Sequence, residues 1–279
     1  MFLHGGPGGG CKTDHRQFFD PKKFHIVLFD QRGSGRSLPF GSIKSNNSHF
    51  LVRDIEAIRT RYRITEWALF GGSWGATLGL LYAQCYPERV SALVLRGAFL
   101  AREVDLAWFL GCGANKILPV QWDNFINAID YNGITDLPSY LFDRLNSESQ
   151  DVSKETALAW EKWSGSVVAF SFDSTLESLS PSHETAICKA RIELHYASNK
   201  YFLEPDQLLR DAHKIPDIRV ILIHGGRDMT CLPSASWDLH KAIPHSRLEI
   251  LRTAGHLSSD SQMIDALIRA SGEIVDYIG

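Results

Sequence analysis

Short apolar runs alternate with segments of helical periodicity near both ends of the chain. The apolar runs predict buried strands over Phe24–Phe29, Trp67–Phe70, Val90–Leu95, Ile218–Ile223 and Leu248–Leu251. The periodic segments predict helices over Phe50–Arg63, Ala76–Cys85 and Ala235–Ala242, and one from about Gln262 onward. Because strands that alternate with helices are typical of a doubly wound, mostly parallel sheet, the sequence predicts an α/β fold.

The strand pattern stops after Gly97. From about residue 99 to residue 215 the chain is rich in tryptophan, and its patterning is helical without clear strands. We interpret residues 99–215 as a helical cap that is inserted into a core formed by residues 1–98 and 216–279.

Length, charge and cysteine content narrow the classes of function. The 279 residues suit one large α/β domain with a smaller insertion. The net charge is -3 and the basic residues are scattered, so nothing indicates a nucleic-acid partner. The 5 cysteines are widely spaced without a C-x-x-C pair, which disfavours a disulfide framework or a zinc site. We find no membrane-span pattern and no signal peptide, and we expect a cytoplasmic protein without membrane contact.

The first residues raise a choice between two kinds of glycine-rich loop. From Gly6 the chain runs G-P-G-G-G-C-K-T, which misses the phosphate loop of nucleoside triphosphatases because Cys11 replaces its last glycine. The alternative is a turn of the HGGG type, whose backbone N–H groups bind the negative oxygen of a tetrahedral acyl intermediate. The downstream residues decide between the two.

Gly71–Gly75 matches the pattern G-x-S-x-G between a predicted strand and a predicted helix. A serine on such a sharp turn is held exposed, and glycines are needed where a Cβ atom would clash. Ser73 is therefore a candidate nucleophile. A serine at this position also argues against a dehalogenase or an epoxide hydrolase, because those enzymes carry aspartate at this turn.

Two further polar residues follow predicted strands. Asp228 comes after the strand that ends at Ile223, and His256 comes after the strand that ends at Leu251. The carboxyl ends of parallel strands line one crevice, so both residues can meet Ser73 there. The order Ser, Asp, His is that of a hydrolase triad, in which His256 accepts the proton of Ser73 and Asp228 orients the imidazole.

A nucleophile downstream favours the oxyanion interpretation of the opening loop. Pro7 has no N–H, so Gly5 or Gly6 is the predicted donor of the loop. Trp74, the residue after the nucleophile, supplies the second backbone N–H. No metal-ligand spacing such as H-E-x-x-H occurs, and we expect neither a metal nor another cofactor.

Together, the motifs HGGPGG, DQRGSGRS, GGSWG, GGRDM and AGH resemble those of the proline iminopeptidases, or prolyl aminopeptidases, of the α/β-hydrolase fold. The similarity extends into the predicted cap, at Leu95–Glu103, Trp108, Gly113, Ala114, Pro119, Trp122 and Ala190–Tyr196. The resemblance implies a serine hydrolase that releases an N-terminal residue, most often proline, from small peptides with a free N-terminus. It also implies strands ahead of HGGP, of which only Met1–Leu3 are present. Either the start codon is misplaced or the sheet has lost an edge; if the chain is complete, we expect lower stability or dimerisation.

The resemblance further implies which residues bind the substrate. The family pairs the substrate amine with carboxylates of the cap, and one of them corresponds to Glu193. Ser164 stands where the family has the second. Glu161, one helical turn earlier, either replaces that charge or lies on a solvated helix face. Phe99 and Phe109 correspond to the apolar proline pocket, with plain packing of the cap as the alternative for both.

Two other functions remain open at this stage. An esterase or amidase for uncharged acyl substrates is favoured by Ser164, because a hydroxyl carries no charge to pair with an amine. A catalytically silent binding protein on a hydrolase scaffold is a second alternative, against which the intact triad argues. The sequence leaves the oligomeric state open.

Overall fold

The computed structural model describes residues 1–131, 133, 135–170 and 182–279. Its sheet has 5 strands in the spatial order β1 to β5, and every neighbouring pair is parallel. The strands are β1 (Phe2–Leu3), β2 (Trp67–Gly72), β3 (Val90–Arg96), β4 (Arg219–Gly225) and β5 (Arg247–Leu251). The predicted α/β class with a parallel sheet is confirmed.

The described helices fall into two groups along the chain. Those next to strands are α1 (Ser48–Arg61), α2 (Trp74–Cys85), α10 (Pro233–Ala242) and α11 (Ser261–Ile278). Those between β3 and β4 are α3 (Glu103–Ala107), α4 (Ala114–Ile117), α5 (Pro119–Ala128), α6 (Leu137–Leu145), α7 (Gln150–Ala169), α8 (His183–Ser198) and α9 (Gln207–Arg210). None of these helices is long and apolar enough to cross a membrane.

The four helices next to strands lie where the periodicity predicts them, and each begins slightly earlier. Polar caps explain two of these starts. Asn47 accepts a hydrogen bond from the Phe50 N–H ahead of α1, and Asp260 accepts one from the Gln262 N–H ahead of α11. Such side chains satisfy N–H groups that have no partner within the helix, which an apolar periodicity does not register.

Apolar side chains cover both faces of the sheet. On one face, Leu69 and Leu222 pack with residues of α1, α2 and α10. On the other face, Val94 and Ile221 pack with Met263 and further residues of α11. The central strands are therefore buried on both sides, and helices on both faces make the sheet doubly wound.

The prediction of a regular strand over Phe24–Phe29 is wrong. The structure has one isolated parallel bridge there, between Phe2 and Leu28, and the Phe2 N–H donates to Val27 O at 2.9 Å. This segment lies beside β1, on the side opposite to β2. Because β1 has only two residues, Phe2–Leu3, it offers too short a partner for a ladder of regular pairs.

The helices between β3 and β4 form a second apolar cluster. Phe125 of α5, Leu141 of α6, Trp163 of α7 and Leu194 of α8 lie within it. Helix α8 also joins this cluster to the sheet, because Ile192 belongs to the core on that face. The described part of residues 99–215 contains no strand, and residues 132, 134 and 171–181 of that predicted cap lie outside the described residues.

Helix α2 approaches the sheet so closely that its first turn has no room for a side chain. A Cβ atom on Gly75 would lie 2.0 Å from Leu3 O. A Cβ atom on Gly272 in α11 would point into open space. Real Cβ atoms do not approach backbone oxygen this closely. The two glycines therefore differ in the reason for their presence, although both lie in helices.

We expect Gly75→Ala to lower the free energy of unfolding by about 3 kcal/mol or more, because β1 must move away from α2. Gly272→Ala is the matched control and should raise that free energy by about 0.5–1 kcal/mol, because alanine costs less backbone entropy in a helix. Urea unfolding followed by circular dichroism measures both. Equal effects of the two substitutions would contradict the close approach of α2 to β1.

Candidate active site

Ser73 lies on the sharp turn between β2 and α2, with φ 56° and ψ -122°. A non-glycine residue with positive φ costs about 1–3 kcal/mol, and such strain often occurs at functional sites. The Ser73 N–H donates to Arg96 O at 2.9 Å, which ties the turn to the end of β3. The glycines around it are required, because a Cβ on Gly71 would lie 2.1 Å from Gly75 O.

Asp228 and His256 form a buried pair at the same edge of the sheet. His256 Nδ1 lies 2.7 Å from Asp228 Oδ2. The other carboxylate oxygen, Oδ1, accepts the backbone N–H groups of Thr230 and Cys231, each at 2.9 Å. With every oxygen held by donors, the carboxylate can fix the orientation of the imidazole.

The environment gives the two residues of this pair different protonation states. Burial opposes ionisation of Asp228, but the neighbouring His256 and His224 outweigh it and hold the pKa of the carboxyl well below its usual range. Burial lowers the pKa of His256, and Asp228 only partly offsets this. Near neutral pH the pair is therefore an ionised carboxylate beside a neutral imidazole, which can accept a proton.

The structure brings Ser73 to the same edge as this pair. Ser73 Oγ lies 3.9 Å from Cys231 Sγ, in the loop that holds Asp228. The Arg96 guanidinium donates to His256 O, while Arg96 O accepts the Ser73 N–H. The three residues that the sequence predicts as a triad thus follow β2, β4 and β5. Arg96 contacts the loops of Ser73 and His256, and Cys231 links the Asp228 loop to Ser73.

Several residues at this edge were missed by the sequence analysis. A Cβ on Gly97 would lie 3.2 Å from Asp228 Oδ2, so Gly97 lets β3 end directly against the pair. Arg96 connects the loops of Ser73 and His256, as described above. The signal for both was their position at the end of a predicted strand, on the edge where the other candidates lie.

Cys231 was also missed, although it follows Asp228 by three residues. Its thiol is buried, and burial raises its pKa well above the usual range, with the negative charge of Asp228 adding to the effect. The thiol therefore stays protonated beside Ser73. It is not a thiolate nucleophile, because the thiolate is the reactive form of cysteine.

The predicted oxyanion donors lie beside the nucleophile. A Cβ on Gly5 would be 3.5 Å from the Cβ of Ser73, and Gly6 has φ 118°. Trp74 is the first residue of α2, so its backbone N–H has no acceptor within the helix. The positive end of the helix dipole also favours negative charge at this point.

The predicted substrate-binding residues separate into two groups. Glu193 and Phe109 both contact Trp160: Glu193 Oε2 accepts the indole N–H at 2.6 Å, and the Phe109 ring lies 5.8 Å from the indole. Phe99 instead packs against Tyr201, with ring centroids 4.8 Å apart.

Tyr201 connects these two groups and was missed by the sequence analysis. Burial raises the pKa of its phenol, and the neighbouring Glu193 and Cys231 add to the effect. Its ring also lies 5.5 Å from that of Trp74. A tyrosine in this region carries no sequence signal of its own, because its role depends on residues from three distant segments.

Ser164 does not direct its hydroxyl as a carboxylate substitute would. Its Oγ donates to Glu161 O of the same helix at 3.2 Å. Glu161 itself is 7% exposed, so it does not lie on a solvated face. Burial raises the pKa of Glu193. Lys189 and the hydrogen bond from Trp160 lower it in part, and the charge of Glu161 raises it further. Glu161 and Glu193 are therefore close enough to interact.

The described residues hold no group of three or more histidine, cysteine or acidic side chains arranged to bind a metal ion. Acidic and basic side chains at the site include Asp228, Arg96, Glu161 and Glu193. The arrangement offers a hydroxyl, a neutral imidazole and an ionised carboxylate, which is the set of groups needed for nucleophilic acyl transfer.

A family model for the α/β hydrolase fold matches residues 1–261. Among solved structures, a meta-cleavage product hydrolase from Pseudomonas fluorescens aligns with a TM-score of 0.58 and 19% identity, over 100% of this chain and 90% of that one. An esterase from Exiguobacterium antarcticum aligns with a TM-score of 0.56 and 19% identity, over 98% and 90% of the two chains. These likenesses establish the fold.

Curated relatives are more similar in sequence. The proline iminopeptidase of Xanthomonas citri is 45% identical over 275 residues, which cover 97% of this chain and 87% of that protein. That of Xylella fastidiosa is 44% identical over 276 residues, with 99% and 88% covered. That of Arabidopsis thaliana is 39% identical, with 100% and 74% covered. This chain therefore belongs to the proline iminopeptidase family of the α/β-hydrolase fold.

Proposed function

We propose that this protein is a serine aminopeptidase that releases N-terminal proline from small peptides through an acyl-enzyme on Ser73. The observation that carries the proposal is the buried pair of Asp228 and His256, 2.7 Å apart, at the sheet edge where Ser73 stands on its strained turn. The names of the relatives at 39–45% identity support the same activity.

In the first half of the reaction, neutral His256 accepts the proton of Ser73 as Oγ attacks the carbonyl carbon of the N-terminal residue. The backbone N–H of Trp74 and one from Gly5 or Gly6 stabilise the oxyanion. Asp228 stabilises the imidazolium that forms. His256 then gives its proton to the leaving amine, the peptide bond breaks, and the shortened peptide departs.

In the second half, water attacks the ester bond between the acyl group and Ser73. His256 accepts a proton from this water and returns it to Ser73 Oγ when the ester bond breaks. The free amino acid is released and the enzyme returns to its starting state. No cofactor is needed, because every proton is moved by His256.

Residues 99–215 are, in this proposal, the cap that reads the substrate. Glu193 pairs with the free N-terminal ammonium, while Trp160 holds one of its oxygens at 2.6 Å. A buried cation is tolerated only if it is paired, which makes a free amine a condition for binding. Glu161 adds a second carboxylate near Glu193, and Phe99 and Phe109 provide aromatic surface for the proline ring.

One observation favours a second candidate function. The hydroxyl of Ser164 is uncharged and donates to a backbone carbonyl of its own helix, so it offers a substrate amine no charge. An esterase or amidase for uncharged acyl substrates would use the same residues Ser73, Asp228 and His256. The two candidates differ in whether a free amine is required.

The compartment is a separate part of the proposal. The five cysteines of the chain are all free, as suits a protein of a reducing environment. We therefore propose a cytoplasmic location, in which a peptidase for small peptides would meet its substrates.

The substrate class is tested with prolyl-β-naphthylamide, its N-acetylated form and a simple p-nitrophenyl ester, with Ser73→Ala as the blank for each. We expect turnover of the free prolyl amide and at least 100-fold less of the acetylated form, because acetylation removes the charge that Glu193 pairs. Equal turnover of both amides would instead support the second candidate. A fluorophosphonate that fails to label Ser73 would support a silent binding protein.

The role of Glu193 is tested by Glu193→Gln, with the exposed Glu184→Gln on the same helix α8 as its matched control. Loss of a charge-assisted hydrogen bond of about 1.5–3 kcal/mol predicts a KM for prolyl-β-naphthylamide about 10–100-fold higher. Hydrolysis of the p-nitrophenyl ester, which has no amine, should change less than about twofold. An unchanged KM for the amide would show that Glu193 does not pair with the amine.

The pH dependence follows from the lowered pKa of His256. Protonated His256 cannot accept the proton of Ser73, so kcat/KM should fall on the acid side with a pKa below 6.5, the usual value for histidine. Ester hydrolysis by Glu193→Gln should keep this acid limb, because His256 and not Glu193 then controls it. An acid limb centred above pH 7 would contradict the assignment of His256 as a buried neutral base.

A further inference from the structure

The side chain of Gln31 lies between the glycine loop and the start of α2, and it is 2% exposed. Its amide nitrogen donates to His4 O at 2.9 Å. Its amide oxygen accepts the indole N–H of Trp74 at 2.8 Å. One side chain therefore connects the two segments that supply the candidate oxyanion donors.

The imidazole of His4 extends this connection to Gly5. The backbone N–H of Gln31 donates to His4 Nε2 at 3.0 Å, and His4 Nδ1 lies 2.8 Å from Gly5 O. A ring protonated on Nδ1 satisfies both contacts. The other tautomer satisfies only the Gly10 N–H, which lies 3.2 Å from Nδ1. We therefore assign the proton to Nδ1, which donates to Gly5 O.

This ring stays neutral near neutral pH. Burial lowers the pKa of His4 to about 4, although the hydrogen bond to Gly5 and the charge of Asp30 act in the opposite direction. The acceptor at Nε2 is therefore available to Gln31 at neutral pH.

These bonds orient two peptide groups. In a trans peptide the C=O and the following N–H point in opposite directions. Gln31 holds His4 O, which sets the direction of the Gly5 N–H. His4 holds Gly5 O, which sets the direction of the Gly6 N–H. The N–H groups of Gly5 and Gly6 are thus oriented by the hydrogen bonds that Gln31 and His4 make to the preceding carbonyl groups.

The same amide also holds Trp74, on the other side of the candidate oxyanion hole. Trp74 is the first residue of α2, and its backbone N–H is the second candidate donor. Its indole is fully buried and packs against Tyr196 and Tyr201, with centroids 5.0 Å and 5.5 Å away. The hydrogen bond from its Nε1 to Gln31 Oε1 restrains the indole within its own plane, in addition to the ring packing.

We propose that Gln31 is the positioning residue of the oxyanion hole, and that its amide holds the donor N–H groups of the loop and of Trp74 in register. The inference rests on the proposed acyl-enzyme function. An amide suits this place, because its nitrogen donates and its oxygen accepts. It also gives a role to Gln31 within DQRGSGRS, to which the reaction assigns none.

The neighbouring residue supports the same arrangement. Asp30 Oδ1 accepts the Cys11 N–H at 2.6 Å, and Arg36 donates to Asp30 Oδ2 at 3.1 Å. Asp30 thereby holds the far end of the glycine loop while Gln31 holds its beginning. The loop is anchored at both ends, so its N–H groups are oriented before the substrate arrives, as electrostatic stabilisation of a transition state requires.

The test compares Gln31→Met and Gln31→Glu with the wild type on prolyl-β-naphthylamide. Deleting an oxyanion donor costs about 100–1000-fold in kcat, and misorienting one should cost less, about 10–100-fold. KM should change less than about threefold, because the hole acts on the transition state. Inhibition by pyrrolidine-2-boronic acid, whose tetrahedral adduct occupies the hole, should weaken in parallel with kcat, while competitive inhibition by proline stays unchanged.

Gln84→Met is the matched control, because Gln84 is a buried glutamine of α2 whose amide donates to Leu208 O at 2.8 Å, away from the site. It should retain wild-type kcat. Thermal unfolding of every variant separates misfolding from misorientation. If Gln31→Met does not fold, Trp74→Phe removes the indole N–H together with part of the buried ring and should lower kcat in the same way.

The rate of Ser73 modification by a fluorophosphonate examines the same hole without assuming a proline substrate. It should fall in the Gln31 variants and in Trp74→Phe. Folded variants with unchanged kcat, boronate affinity and modification rate would overturn the role of Gln31 and leave the proposed function intact. A wild type that neither hydrolyses the amide nor reacts with the fluorophosphonate would instead overturn the proposed function.

Discussion

The position of the nucleophile depends on how closely the backbone of α2 can approach β1. A Cβ on Gly75 would lie 2.0 Å from Leu3 O, so the first turn of the helix rests directly on the strand. This contact sets Ser73 beside the glycine loop that follows β1. At Ser73 itself the chain turns from β2 into α2 with a strained φ of 56°.

Burial then prepares the groups around this turn for proton transfer. Asp228 remains ionised although burial opposes this, because the neighbouring His256 and His224 lower the pKa of its carboxyl. His256 remains neutral because desolvation disfavours its cation, and the nearby Arg96 adds to this. The resting site thus holds its base unprotonated, and the charge that stabilises the imidazolium is already in place.

In the proposed function, chemistry and specificity belong to different parts of the molecule. The hydroxyl, imidazole and carboxylate follow β2, β4 and β5, within a sheet architecture shared with hydrolases only 19% identical to this chain. The aromatic and acidic groups proposed to bind the substrate, such as Trp160 and Glu193, come from helices between β3 and β4. Changes in those helices can therefore alter the substrate while the reacting groups stay on the sheet.

Local patterns were enough to predict strands β2 to β5, their flanking helices and the turn at Ser73, because periodicity and glycine spacing act over a few residues. They failed at Phe24–Phe29, where regular pairing depends on a two-residue partner. By itself the sequence determined the fold class and predicted the side chains proposed to react. Only the tertiary structure decided what orients them: Gln31 meets Trp74 across 43 residues of chain, and such a contact exists only after the sheet has assembled.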